Sequence, residues 1–150
     1  MIAVIQRVTS ANVTIENNVV GHIDQGLVIL LGVMGNDEEN DTDYLVNKIS
    51  SLRIFNDENC KMNLSVKDVH GSALVISQFT LCAETQKGRR PSFIHAAPPE
   101  KANAFYEDFM KKLRNQGVPI QSGEFGAMMK VNIQNEGPVT IVLDSKKTNL

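Results

Sequence analysis

Two short segments of the chain combine hydroxyl and amide side chains: Ser77-Gln78-Phe79-Thr80-Leu81 and Asn135-Glu136-Gly137-Pro138-Val139-Thr140. Ser77 and Thr80 each offer a hydroxyl, and a hydroxyl becomes an effective nucleophile only beside a general base. No base is evident: His22, His70 and His95 are scattered, and there is no G-x-S-x-G elbow. The plain alternative for Ser77, Gln78 and Thr80 is a strand end with polar caps. The plain alternative for Gly137-Pro138 is an ordinary turn. A third segment, Lys87-Gly88-Arg89-Arg90-Pro91-Ser92, is the densest cationic spot, and its glycine and proline suit a loop. It reads equally as a solvated surface turn. Metal chemistry is not expected, because neither H-E-x-x-H nor a Cys/His cluster occurs. Gly32-Val33-Met34-Gly35 lacks the G-x-G-x-x-G spacing, and no G-x-x-x-x-G-K-[ST] loop occurs, so no nucleotide cofactor is expected.

The elements that must hold these segments follow from apolar periodicity. Val- and Ile-rich stretches at 2–9, 12–16, 19–23 and 26–34 predict four strands joined by tight connections. Asn36-Asp37-Glu38-Glu39 then opens a helix over about 38–52, with Tyr44, Leu45, Ile49 and Leu52 at helical spacing. A turn at Asn56-Asp57-Glu58-Asn59 precedes a short segment, and Ser72 to Leu81 predicts a buried strand ending in polar chemistry. Pro98-Pro99 opens a second helix with Ala102, Phe105, Phe109 and Leu113 as its stripe and Gly117 as its stop. Strands near 127–134 and 139–143 follow, with Asn135-Glu136-Gly137-Pro138 expected as a hairpin turn between them. The sum is one α/β domain over residues 1–150, a layered fold of mainly antiparallel or mixed sheet covered by two principal helices.

Composition narrows the class. A chain of 150 residues that is 42% hydrophobic can build a core without staples. Only Cys60 and Cys82 are present, without CxxC spacing, and both are expected as free thiols in a reducing cytoplasm. The opening Met1-Ile2-Ala3-Val4-Ile5-Gln6-Arg7-Val8 shows no basic leader, and no window approaches 18 uninterrupted apolar residues. A cytoplasmic protein with no membrane association is expected. A net charge of -2 argues against a broadly basic nucleic-acid face, so any RNA contact must be local.

Taken together, the Ser77–Leu81 and Asn135–Thr140 segments resemble the two signature motifs of the D-aminoacyl-tRNA deacylases. Lys87-Gly88-Arg89-Arg90-Pro91-Ser92-Phe93 is similar to a stretch typical of bacterial members. The resemblance runs on through Ala3–Val8, Leu52–Phe55 and Lys61–Val66, and so covers essentially the whole chain. It implies hydrolysis of the ester of D-aminoacyl-tRNA by a homodimer, with tRNA as partner, no DNA, no membrane and no cofactor. In such a dimer the Gly137-Pro138 segment of each subunit reaches into the other's active site. The family's proline bond is cis, a state that costs an X-Pro bond roughly 0.5–1 kcal/mol. Its carbonyls would form a wall that excludes an L side chain at the α-carbon and ignores side-chain identity. Glycine has nothing to exclude, so glycyl-tRNA is an expected substrate too.

The resemblance assigns main-chain N–H groups around Phe79 and Thr80 to the developing oxyanion, with Ser77 and Gln78 shaping the pocket. A covalent role for Thr80 is the alternative, and the substrate's ribose 2′-hydroxyl is a further source of activation. Phe125 and Met129 are implied to line the terminal-adenosine pocket, Arg7 and Asn135 to support the Gly-Pro segment, and Lys87, Arg89 and Arg90 to contact tRNA phosphates. Phe125 and Met129 read equally as core residues, and Arg7 as a solvated strand residue. Two other classes compete. A non-enzymatic RNA-binding module would carry more than 5% aromatics and a wider basic face, and a hydrolase of free D-amino acid esters would need its own nucleophile or metal.

Overall fold

The computed structural model describes residues 1–147. Chain order is β1 (Ile2–Ile15), β2 (Asn18–Ile23), β3 (Gly26–Gly32), α1 (Glu39–Ser51), β4 (Phe55–Asn56), β5 (Met62–Leu64), β6 (Ser72–Ser77), a 3₁₀ turn (Phe79–Cys82), α2 (Pro99–Asn115), β7 (Ile120–Ser122) and β8 (Lys130–Asp144). The main sheet is mixed. β1 pairs antiparallel with β2, β3 and β8, whereas β3–β6 and β6–β7 are parallel. Parallel neighbours need a crossover, and the connections through α1 and α2 supply one for each pair.

Two apolar layers result. Ile5, Ile29 and Val75 meet Leu45 and Ile49 of α1 and Phe109 and Leu113 of α2 in the larger core. The sheet curls so that Val8, Val13, Val28, Leu74 and Ile76 form a second core, closed by Met129, Val131 and Ile133. The fold class and both helices match expectation, with α1 and α2 starting and stopping within about two residues of the predicted bounds. No described helix is long and apolar enough to cross a membrane.

Three expectations about the strands fail. The first is the break between 2–9 and 12–16, since β1 runs unbroken over Ile2–Ile15. Its polar middle is accommodated on the outer face, where Thr9 and Ser10 donate to Gln134 Oε1 (2.9 and 3.1 Å) and Asn132 donates to Asn12 (2.9 Å). Register shifts beside Val8 turn the inward face from one core to the other.

The second is the hairpin at Asn135–Pro138. The chain does not reverse there: β8 passes through as one strand of 15 residues. Val8 pairs with Asn135 and Gln6 with Thr140, leaving residues 136–139 opposite Arg7 alone as a bulge. Glycine and proline suit such a bulge as well as they suit a turn, because proline has no N–H to lose from the ladder. Gly137 has φ +118°, and a Cβ there would lie 2.9 Å from Arg7 Nη2. The Gly137–Pro138 peptide bond is cis.

The third is the strand to Leu81. β6 ends at Ser77; Gln78 N–H makes a last bond to Leu31 O (2.8 Å), and the chain then tightens into the 3₁₀ turn. The turn packs directly on Gly32. A Cβ on Gly32 would lie 3.0 Å from Leu81 Cβ, 3.1 Å from Gln78 O and 3.2 Å from Cys82 Sγ. Three strands had no expectation: β4, β5 and β7, which are too short to show a period.

Candidate active site

β6 and the 3₁₀ turn deliver Ser77, Gln78 and Phe79 to one side of a pocket of about 780 Å³. The segment after β7 brings Phe125 and Met129 to the other side, and the α2 entrance with Phe93 completes the wall. That volume falls in the range of roughly 300–1,000 Å³ usual for small-molecule sites. The lining is mostly apolar, so polar contacts inside it are few and strengthened by a low local dielectric.

Phe79 and Thr80 open the 3₁₀ turn, where N–H groups lack a preceding turn to bond. Among the described residues neither of these two N–H groups has a backbone partner, while Gln78, Leu81 and Ala83 each do. The Gln78 amide donates a 2.6 Å hydrogen bond to Thr80 Oγ1. No titratable side chain bonds the Thr80 or Ser77 hydroxyl among the described residues. Likewise, no three His, Cys, Asp or Glu side chains converge there to hold a metal ion.

Underneath, Tyr106 of α2 is buried, donates to Val75 O (2.9 Å) and packs against Phe125 with ring centroids 6.1 Å apart. Burial, more than any other cause, pushes its phenol up to about 12, with Glu107 adding to this and a Ser122 hydrogen bond opposing it. Tyr106 lies four residues after Ala102, so helical spacing marks its buried face, but nothing in its type marks its place behind the pocket. Gly32 and Tyr106 are the support residues that sequence reading passes over.

The remaining predicted residues lie elsewhere. Thr80 is exposed beside the pocket rather than lining it. Arg7, Asn135, Gly137 and Pro138 gather at the β8 bulge. Arg7 is 6% exposed, which overturns the solvated reading; its Nη1 donates to Ile54 O (2.8 Å) and its Nε lies 3.5 Å from Glu136 Oε2. Asn135 Nδ2 donates to Arg7 O (3.0 Å) and Val139 O (2.9 Å), tying both sides of the bulge. Through the strand registers Ser77 is level with Leu31 and Ala3, whereas Leu74 is level with Val28 and Gln6, the partner of Thr140. Three strand spacings and three to four residues therefore separate the bulge from Ser77, about 14 Å across and about 10–13 Å along the sheet. Lys87, Arg89 and Arg90 are exposed at the tip of a turn closed by Glu84 and Ser92.

Comparison with known proteins matches the chain to the D-Tyr-tRNA(Tyr) deacylase family over residues 4–144. It is 53% identical over 148 residues to a D-aminoacyl-tRNA deacylase of Clostridioides difficile (strain 630), covering 99% of both chains. It is 56% identical over 147 residues to one of Sulfurihydrogenibium sp. (strain YO3AOP1), covering 98% of this chain and 99% of that one. Among solved structures, a c-Myc DNA Unwinding Element Binding Protein superposes with TM-score 0.90 at 42% identity, covering 96% of this chain and 98% of the other. A probable eukaryotic D-amino acid tRNA deacylase superposes with TM-score 0.83 at 16% identity over 95% and 97%, a likeness of fold. On the match along nearly its whole length, the chain belongs to the D-Tyr-tRNA(Tyr) deacylase family.

Proposed function

We propose that this chain removes D-amino acids from tRNA by ester hydrolysis, with two protomers building each site. Family membership supplies the reaction. The observation that carries the mechanism is the pair of N–H groups on Phe79, which lines the apolar pocket, and on Thr80 beside it, which have no backbone partner among the described residues. As water attacks the ester carbon, negative charge develops on the carbonyl oxygen, and these donors stabilise it. The carbon–oxygen bond to the ribose then breaks, and the attacking water's proton passes to the leaving ribose oxygen. With no base on Thr80 or Ser77, water is the nucleophile and the ribose 2′-hydroxyl assists it. The pocket between Phe125 and Met129 takes the terminal adenosine, and Lys87, Arg89 and Arg90 take phosphates further along the strand.

Chirality is judged by the Gly137–Pro138 segment, held by Arg7 and Asn135 and reaching the pocket of a partner subunit. The separation of the bulge from its own Ser77 favours a second copy over closure within one chain. So does an exposed apolar side chain near the bulge: Val142 is 65% exposed. A main-chain wall rejects an L side chain, accepts many D side chains, and leaves glycine unopposed. The cytoplasm, where charged tRNA is made, is the matching location.

The name of the 42%-identical neighbour favours a second reading, DNA binding. The net charge of -2 and the single basic turn suit a strand end better than a duplex. Release of D-tyrosine but not L-tyrosine from charged tRNA is the expected result of a deacylation assay. Equal resistance of both esters, with DNA bound, would support the second reading.

A further inference from the structure

Phe93 and Phe79 form an edge-to-face pair at the pocket mouth, with centroids 4.9 Å apart and planes at 67°. Buried aromatic pairs are common core features, but these two are 36% and 55% exposed. Phe93 also follows directly on the turn that carries the basic tip. Glu84 and Ser92 exchange N–H···O bonds of 2.8 and 3.0 Å, and Glu84 Oε1 further accepts from Gln86 N–H (2.8 Å), so the acidic group is engaged at the base of the turn. Lys87, Arg89 and Arg90 beyond it have no ion-pair partner among the described residues. Wet aromatic faces joined to unpaired cations are the chemistry of single-stranded nucleic acid, where rings stack bases and cations hold the backbone.

We infer that the Phe93–Phe79 rim is a second nucleotide subsite: it stacks the base of the nucleotide preceding the terminal adenosine, and the adjoining basic turn takes that nucleotide's phosphate. This rests on the reading of the pocket as the site of the aminoacylated adenosine. The order along the surface is pocket, aromatic rim, basic turn, which is the order of aminoacyl-adenosine, base and phosphate along an RNA 3′ end. An occupant of this kind accounts for two exposed rings beside three cations that have no ion-pair partner among the described residues, which an apolar protein partner does not.

The test compares two non-hydrolysable ligands, a D-tyrosyl amide of 3′-amino-adenosine and the same unit extended at its 5′ end by a cytidylyl residue that carries its own 5′-phosphate. Wild-type protein is expected to bind the extended ligand about 5- to 100-fold more tightly, the effect of one base–aromatic stack. Phe93→Ala is expected to bring that ratio close to one, and Phe93→Tyr to retain it. Replacing Lys87, Arg89 and Arg90 by alanine together should lower the ratio and flatten its dependence on salt. A wild-type ratio near one overturns the subsite while leaving the pocket reading intact, and failure of both ligands to bind sinks both. A Phe93→Ala ratio equal to wild type places the second base elsewhere and also overturns it. If Phe93→Ala sediments as a smaller species, the ring is a subunit contact and the proposal falls.

Discussion

The side-chain amide of Gln78 donates to the hydroxyl of Thr80 across 2.6 Å, so the one hydroxyl nearest the unpartnered N–H groups is already engaged by a neutral group. An amide cannot take the hydroxyl proton, and Thr80 is therefore not activated for attack. Thr80→Ala is expected to keep kcat within about tenfold of wild type, less than the factor of about 10² or more that follows loss of a catalytic nucleophile. Complete loss in a folded Thr80→Ala protein, measured by single-turnover deacylation, would restore the covalent mechanism.

The main-chain donors can be removed singly. Phe79 is the first residue of the 3₁₀ turn, a position that tolerates proline because its N–H has no intrahelical partner. Phe79→Pro is expected to lower kcat about 10²- to 10³-fold, the usual cost of one oxyanion donor. Phe79→Ala, which keeps the N–H, serves as the control. Equal activity of the two variants would show that this N–H is not used.

Gly32 sets the position of that turn from below. A methyl group there would stand 3.0 Å from Leu81 Cβ and 3.1 Å from Gln78 O, closer than the neighbours can accept without moving. Gly32→Ala is expected to cost about 1–3 kcal/mol of stability through overpacking. It should also lower kcat more than it raises KM, because the donors shift while the pocket walls stay. A proportionate change in KM alone would show that the turn has not moved.

How much of this was legible in the sequence depended on the length of each pattern. The Phe105, Phe109 and Leu113 stripe and the apolar run before Ser77 are long enough to report a helix and a buried strand. Gly137-Pro138 misleads because the residues that end a strand in a turn are also those that a bulge requires. Without the resemblance, nothing in the sequence separates a buried Arg7 from a solvated strand residue, since only the fold brings the Ile54 carbonyl to it. The separation of Arg7 and Asn135 from Ser77 is a property of strand order, which no local pattern encodes. Tyr106 lay hidden in a helical stripe whose role beneath the pocket depends on what packs above it.

Tyr106 offers a pH test. Its phenol is raised from 10.0 to about 12, so the folded state favours the neutral form. That contribution is complete below the unfolded value and is lost as pH rises from about 10 to about 12. Wild-type stability to urea should fall through that window, and Tyr106→Phe should show a shallower fall. At neutral pH, Tyr106→Phe leaves Val75 O without its donor and is expected to cost about 1–3 kcal/mol. Identical alkaline profiles would show that the phenol does not govern the loss.

The basic turn predicts a salt effect. Replacing Arg89 and Arg90 by alanine together should weaken tRNA binding and reduce the slope of log K against log salt by about 2, one for each lost phosphate contact. An unchanged slope, read by filter binding at several salt concentrations, would remove these residues from the RNA surface.

Mixing two damaged proteins tests most directly whether one subunit completes the other's site. Phe79→Pro removes one of the two donors, and Gly137→Val forces a side chain into a position at φ +118° with Arg7 Nη2 2.9 Å from the new Cβ. Each alone should hydrolyse D-tyrosyl-tRNA poorly. After co-refolding in equal amounts, half the dimers are mixed, and in each of these one site has an intact turn facing an intact bulge. Recovery of about a quarter of wild-type activity is the expected result for a two-fold symmetric pair. Mixed dimers that form but remain as inactive as their parents would contradict it.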